Sequence, residues 1–488
     1  MTVESIEPTE VWSIFEELTA IPRPSKHEEK VREWLIRKAK SHKEIIVTVD
    51  KTGNIILKKP ASAGKENIPT LILQAHMDMV CEKVKGSTFD FMKDKIEAIE
   101  KDGWVVTTTS TTLGADNGIG VAMILALFFD KELTHGPLEA LITYDEETGL
   151  TGAAKLDPST LNGRYLINID SEDFGVITIS SAGGGDSILT KSYVFEPLPS
   201  NWKIFRITVD GLSGGHSGVD IHLPKGNSIK FLSRIIFKGL HDLRIIKIFA
   251  GSKRNAIPRY AECLVACAPE REKNLLYSFQ EMFTVLKNEY LSYEPNLKLT
   301  INEEGSEGFA LTINDSKEVI HLLMSLPHGP YRYSPEIKEL VETSTNLAII
   351  NLSAEGSEIV LSTRSSIESQ LEYQRHRIES IAKLAGNWNI KQDSSYPGWP
   401  ADPNSPLLKY IIKKYQIMLN GKEPVVEAIH AGLECGIIGK HFNGKMQMVS
   451  IGPDIHHPHS PDEKIKVDSV ANVYSLLKEI IKDFPLSL

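Results

Sequence analysis

Residues 71–78 read Leu71-Ile-Leu-Gln-Ala-His76-Met-Asp78, a mostly apolar run of strand length that ends on an imidazole and a carboxylate. Three further runs follow the same plan. Leu141-Ile-Thr-Tyr-Asp-Glu146-Glu147 closes on adjacent glutamates, Leu166-Ile-Asn-Ile-Asp170 closes on an aspartate, and Met448-Val-Ser-Ile-Gly452 feeds a loop that carries His456, His457 and His459. In open α/β sheets, ligands bind outside the carboxyl ends of the strands, so these side chains are expected to converge there. A fifth element, Gly114-Ala-Asp116-Asn-Gly118-Ile-Gly120, is a Gly-rich turn opening an apolar helix over 119–129.

Around these runs the chain alternates helix and strand. Residues 11–40 form an amphipathic stretch with Val11, Ile14, Phe15 and Leu18 on one face, a break at Ile21-Pro-Arg-Pro24, then Val31, Trp34 and Leu35. The alternation predicts an α/β domain with a mostly parallel central sheet. Its character changes near Ala182-Gly-Gly-Gly-Asp186. From about 203 the order is strand (204–209), Gly-rich loop, helix (227–240), two strands and helix (271–290), an α+β pattern. Residues 300–395 hold two adjacent strands (345–352, 357–363) and a long helix (369–385). After Tyr396-Pro-Gly-Trp-Pro400, helix and strand alternate again over 407–419 and 446–451. The predicted architecture is a discontinuous α/β catalytic domain over 1–187 and 396–488. An α+β lid domain is inserted at 188–395, with two sub-repeats near 188–300 and 301–395.

A chain of 488 residues corresponds to two or three domains at roughly 150 residues each. Its net charge of −10 argues against a nucleic-acid partner, which favours a basic surface. The longest apolar run, 121–129, is far short of the ~20 residues that cross a bilayer, so no membrane contact is expected. The N-terminus has no positively charged segment followed by an apolar one, which predicts no secretory signal and a cytoplasmic location. Four cysteines, Cys81, Cys263, Cys267 and Cys435, fit a reducing compartment. Cys263 and Cys267 lie in a strand-like run without further cysteines nearby, which argues against a zinc knuckle.

Two imidazoles and three or more carboxylates suit a pair of divalent zinc ions, which a bridging carboxylate can hold ~3.5–4 Å apart. A single acidic residue after a strand is ordinarily a helix cap or a solvated loop residue, but five such coincidences ask for another explanation. Glu146 and Glu147, adjacent on a loop, can point to different places, one to a metal and one to a water. Asp78 can accept the second N–H of His76 and fix its tautomer. Gly183-Gly-Gly185 and Gly214-Gly215 lack the lysine and the strand-to-helix context of a phosphate loop. They read as tight turns.

The set formed by His76-Met-Asp78, Thr112-Leu-Gly-Ala-Asp116-Asn-Gly, Glu146-Glu147-Thr-Gly, Asn168-Ile-Asp170-Ser-Glu, Gly214-Gly-His216-Ser-Gly, Arg254-Asn-Ala-Ile-Pro258, His430-Ala-Gly-Leu-Glu434-Cys-Gly and Pro458-His459-Ser-Pro-Asp-Glu463 closely resembles the aminoacyl-histidine dipeptidases. These are the Xaa-His dipeptidases or peptidase D, within the di-zinc group that includes carboxypeptidase G, aminoacylase and carnosinase. The resemblance covers essentially the whole chain in order. It implies that His76 and Asp170 hold one zinc, Glu147 and His459 the other, and Asp116 bridges both. Glu146 would be the general base, and a non-proline cis peptide would fall at Asp116-Asn117. In the lid, His216 would stabilise the oxyanion, while Asn255 and Arg364 would meet the substrate's carboxylate end and carbonyl. Gly432 and Glu434 would lie on the substrate side, Glu434 facing its amine or imidazole. His456 and His457 read as surface histidines.

The function so implied is metal-dependent hydrolysis of Xaa-His dipeptides such as β-alanyl-histidine (carnosine), with two zinc ions that cobalt or manganese can replace. The expected partners are a dipeptide with a C-terminal histidine and a second copy of the chain, dimerised through the inserted domain. The rival enzyme reading keeps the same site but a different substrate, such as a tripeptide, an N-acyl amino acid or a dipeptide without histidine. An inactive metal-binding scaffold is the alternative of another class. Against it, Glu146 and all five ligand positions are intact.

Overall fold

The strands that end in candidate ligands are neighbours. In a computed structural model, which describes residues 3–486, the strands Leu138–Thr143, Leu71–His76, Tyr165–Asn168 and Gln447–Ser450 pair in that order, all parallel. Their carboxyl ends therefore open at one edge of the sheet. Two strands at one flank, Ile46–Val49 and Ile55–Lys59, are antiparallel, as is Val176–Ser181 against Gln447–Ser450. The complete eight-stranded sheet is thus mixed, its central strands parallel and its flanking pairings antiparallel. The helix Ala115–Phe129 is buried along nearly its whole length, as a helix apolar on all sides must be.

The chain divides into two compact units. The first runs to Ser180 and resumes over Trp399–Ala428 and from Leu433. The second comprises Ser181–Gly398 and Ile429–Gly432. Relative to the expected joints at 187/188 and 395/396, the second unit begins earlier because Gly183–Lys191 is one of its strands, paired with Gly356–Ser365 and Asn389–Tyr396. This also corrects the reading of Gly183-Gly-Gly185 as a tight turn. Glycine is required there by close approach: a Cβ on Gly183 would lie 2.4 Å from Gly398 N, and one on Gly184 would lie 2.7 Å from the Tyr396 ring. Residues 429–432 return to this unit through Ala182 N, which donates to the carbonyls of Ile429 and Ala431.

The nine-stranded sheet of the second unit contains two β-α-β-β-α-β motifs. In the first, Lys203–Asp210, Ser228–Phe237, Leu243–Ala250, Ala261–Cys267, Pro269–Glu289 and Lys298–Gly305 alternate in that pattern, with strands ordered fourth, first, third, second. The other has the same order but takes Gly183–Lys191 as its first strand. It continues only after the first motif is complete, with Ile313–Ser325, Val341–Ser353, Gly356–Ser365, Glu368–Leu384 and Asn389–Tyr396. One copy is therefore nested within the other, where two sequential copies meeting at 300/301 were expected. The motifs meet through their second strands, antiparallel at Ile248↔Leu352, which removes one exposed edge from each. Cys263 and Cys267 are buried in this sheet as free thiols. No helix among the described residues is long and apolar enough to cross a membrane.

Candidate metal centre

His76 is the last residue of its strand and only 1% exposed. Its Nε2 lies 3.1 Å from Asp116 Oδ1 and 3.4 Å from Asp170 Oδ1, while Nδ1 lies 3.3 Å from Asp78 Oδ1. Asp116 stands where helical geometry fails at the head of the Ala115–Phe129 helix, and its peptide to Asn117 is cis, as the resemblance implied. From the other side, His459 Nε2 lies 3.0 Å from both Asp116 Oδ2 and Glu147 Oε2. His459 sits in a hairpin rather than the expected open loop: Ile455–His456 pairs with Lys464–Lys466, which pairs with Trp104–Thr107.

Asp116 thus belongs to two groups, His76–Asp116–Asp170 and Asp116–Glu147–His459, in each of which one ligand-type atom per residue lies within 4.8 Å of the others. Glu146 joins His76 and Glu147 in a third such group. His456 and His457 are exposed, and His456 packs on the Trp104 ring with 4.6 Å between centroids.

Buried polar residues hold this edge in shape. Asp78, fully buried, accepts from Glu146 N (3.0 Å) and Ser25 Oγ (2.8 Å) and from Glu147 N (3.2 Å). Asp78 therefore orients both glutamates as well as facing His76. Three groups given no role by sequence reading do similar work. Glu463 accepts from the backbone N–H groups of Leu113, Gly114 and Asp116. Arg23 donates to the carbonyls of Met77, Asp78 and Gly114. Glu28 accepts from Asp145 N at 3.0 Å. Glu463 was in a quoted motif, whereas Arg23 lay in what read only as a Pro-rich break. A charged residue between two prolines was the available signal.

Burial opposes an ionised Asp116, but hydrogen bonds from His459 and His76 outweigh it and hold the carboxyl well below its ordinary range. Hydrogen bonds to Asp116 and Glu147 raise His459 to about 11. Burial pushes Asp170 up to about 6 against the pull of His76, and raises Glu146 well above the usual glutamate value. Carboxylates packed this closely with imidazoles compete for protons that a divalent cation displaces. The donor set fits such cations: hard oxygens and two imidazoles, with Glu147 Oε1 and Asp170 Oδ1 buried and lacking a hydrogen-bond partner among the described residues.

The remaining candidates, Glu434 excepted, belong to the second unit. His216 is half-buried in a two-stranded ladder, Gly215↔Ile257 and His216↔Ala256. Asn255, exposed, lies beside it, and its carbonyl accepts from Ser217 N at 2.9 Å. His216 Nδ1 accepts from the N–H groups of both Gly218 and Val219 at 3.2 Å, which assigns the ring proton to Nε2. Burial, and then the charge of Arg364, lower the His216 pKa, so the ring is a neutral Nε2–H donor. Arg364 donates through Nη1 to the Tyr396 hydroxyl at 3.2 Å, and its Nε is buried without a partner among the described residues. Gly432 packs on the same tyrosine ring, where a Cβ would come within 3.0 Å. Tyr396 is a residue that sequence reading passed over as part of a turn-rich joint. His430, beside Gly432, pairs with Ser344 Oγ at 2.8 Å and is depressed to about 3 by burial and Arg364. Glu434 lies in the first unit, fully buried.

The family model for "Peptidase family M20/M25/M40" matches residues 72–483. The cytosol non-specific dipeptidase of Escherichia coli (strain K12) is 40% identical over 488 residues, covering 99% of each chain. The crystal structure of aminoacylhistidine dipeptidase from Vibrio alginolyticus superposes with a TM-score of 0.92 at 36% identity, over 99% of this chain and 98% of that one. An aminopeptidase from Bacillus cereus, 19% identical, shares the fold with a TM-score of 0.57 over 98% of this chain and 99% of its own. With the family model spanning most of the chain and a full-length relative at 40% identity, the chain belongs to peptidase family M20/M25/M40 and is a metallopeptidase similar over its full length to the dipeptidases of Escherichia coli and Vibrio alginolyticus.

Proposed function

We propose that this chain hydrolyses Xaa-His dipeptides, β-alanyl-histidine (carnosine) among them, in the cytoplasm. Two zinc ions would be held by His76 and Asp170, by Glu147 and His459, and by Asp116 between them. The observation that carries this reading is the sharing of Asp116 by two groups, each with one imidazole and one further carboxylate. Bound there, two divalent cations would bring the pKa of a water toward ~7 and polarise the scissile carbonyl.

The side chains supply the rest. Glu146 takes the proton of the attacking water and returns it to the leaving amine, and Asp78 keeps its backbone in place. His216 donates from Nε2 to the oxyanion of the scissile carbonyl. Asn255 and Arg364 meet the substrate's carboxylate end and carbonyl, with Gly432 on the same side. The inserted unit would also form the contact of a homodimer.

Histidine preference is supported by the name of the Vibrio alginolyticus relative, and a broader dipeptide range by that of the Escherichia coli relative. A panel of carnosine, Gly-His, dipeptides without histidine, a tripeptide and an N-acyl amino acid separates these readings on zinc-reconstituted protein. The expected result is the highest kcat/KM on the Xaa-His members. Preference for the tripeptide or the N-acyl amino acid would overturn the assignment, and turnover of no member would favour the inactive scaffold.

Exhaustive chelation is expected to abolish turnover, with zinc, cobalt or manganese restoring it. His459→Ala is expected to lower metal content measured by elemental analysis, whereas the exposed neighbour changed in His457→Ala is not. Full turnover by demetallated protein would remove the basis for every ligand assignment.

A further inference from the structure

A row of hydrogen-bonded side chains crosses the middle of the central sheet just before the strands reach the candidate ligands. Thr143, Gln74, Asn168 and Ser450 lie on the four neighbouring parallel strands; the ladder sets Gln74 against Asn168 and Asn168 against Ser450, while Thr143 stands two residues further along, opposite His76. All four are fully buried. Asn168 Nδ2 donates to Gln74 Oε1 at 2.5 Å, Ser450 Oγ donates to Asn168 Oδ1, and Ser171 Oγ lies 2.8 Å from Ser450 Oγ.

The row ends on Glu434, the first residue of the Glu434–His441 helix. Gln74 Nε2 and Thr143 Oγ1 each donate to its Oε2 at 2.6 Å. Gln74 and Asn168 stand two residues before His76 and Asp170, and Thr143 stands three before Glu146. Gln74 and His76 share a strand and therefore a face of the sheet, and Asp170 and Glu146 follow within two and three residues of the strand ends at Asn168 and Thr143, so the lateral spacing of the row bears on the ligand positions. Buried polar groups cost stability unless paired, and a fully paired row rigidifies what it joins.

We propose that Glu434 is a positioning residue. Its Oε2 ties Gln74 and Thr143 together and thereby fixes the separation of the strand ends that carry His76, Glu146 and Asp170. This rests on the proposed metal centre but not on the substrate. The competing role is contact with the substrate's amine or imidazole through Oε1, which is buried and lacks a hydrogen-bond partner among the described residues.

Zinc affinity, kcat and KM on a hydrolysed dipeptide, measured for E434Q, E434A and T143V, distinguish the two. The amide oxygen of glutamine can accept both hydrogen bonds, so E434Q is expected to stay within about twofold of wild type in all three quantities. E434A is expected to lose about 10-fold in zinc affinity, the low end for groups that orient metal ligands, with kcat falling and KM unchanged. T143V, which removes one donor while keeping the shape, is expected to move the same quantities less far, and it carries the test if E434A does not fold. A rise in KM for E434Q with zinc affinity unchanged would overturn the proposal in favour of substrate contact. Wild-type zinc affinity and kcat in E434A, or in T143V where E434A does not fold, would overturn it as well. Because zinc affinity is read without substrate, failure of the Xaa-His reading leaves this test intact.

Discussion

Glu146→Gln is expected to retain wild-type metal content while kcat falls by at least ~10²-fold, the low end for loss of a general acid–base group. Glutamine preserves size and the backbone N–H that donates to Asp78 Oδ1, so the loop is expected to keep its shape. What disappears is the half-buried carboxylate assigned to accept and return the proton. The rival assignment is that Glu146 is itself a ligand, since it also groups with His76 and Glu147. Elemental analysis beside kinetics decides: loss of metal in step with loss of turnover would make Glu146 a ligand.

The second large effect is expected at His216. His216→Ala is expected to lower kcat by about 10²–10³-fold, the usual cost of one oxyanion donor, with zinc content unchanged. Its Nδ1 is committed to two backbone N–H groups, leaving Nε2–H as the donor. Such a donor accelerates the reaction because its hydrogen bond strengthens as charge develops on the oxygen. Mixing inactive Glu146→Gln and His216→Ala proteins tests which subunit supplies it. Recovery of activity in verified mixed dimers would show supply by the partner subunit, and no recovery in them would favour supply within one chain. A fully active His216→Ala protein would end the oxyanion role.

The strands that build the metal centre could be read in advance because each couples an apolar run to an abrupt polar ending, a contrast visible without any partner. Asp116 and His459 were legible as residues, and the resemblance also implied the cis peptide after Asp116, but the local geometry that presents them was not. The break in the helix at Asp116 and the hairpin that presents His459 depend on contacts with Glu463 and the Trp104–Thr107 strand, far away in the chain. Gly183–Gly185 misled because glycine marks close approach as readily as a turn, and only the packing of Tyr396 and Gly398 distinguishes the two. The nested copy was hidden because its first strand is separated from the remainder by the whole of the other motif. Gln74, Thr143 and Asn168 passed as ordinary strand residues, since a row across a sheet has no signature along any one strand.

The central claim is two cations sharing one aspartate. Anomalous diffraction at the zinc edge, from crystals of zinc-reconstituted protein, tests it most directly. Two peaks are expected, one among His76, Asp170 and Asp116 and the other among Asp116, Glu147 and His459. A single peak, or a second peak away from Asp116, would contradict it.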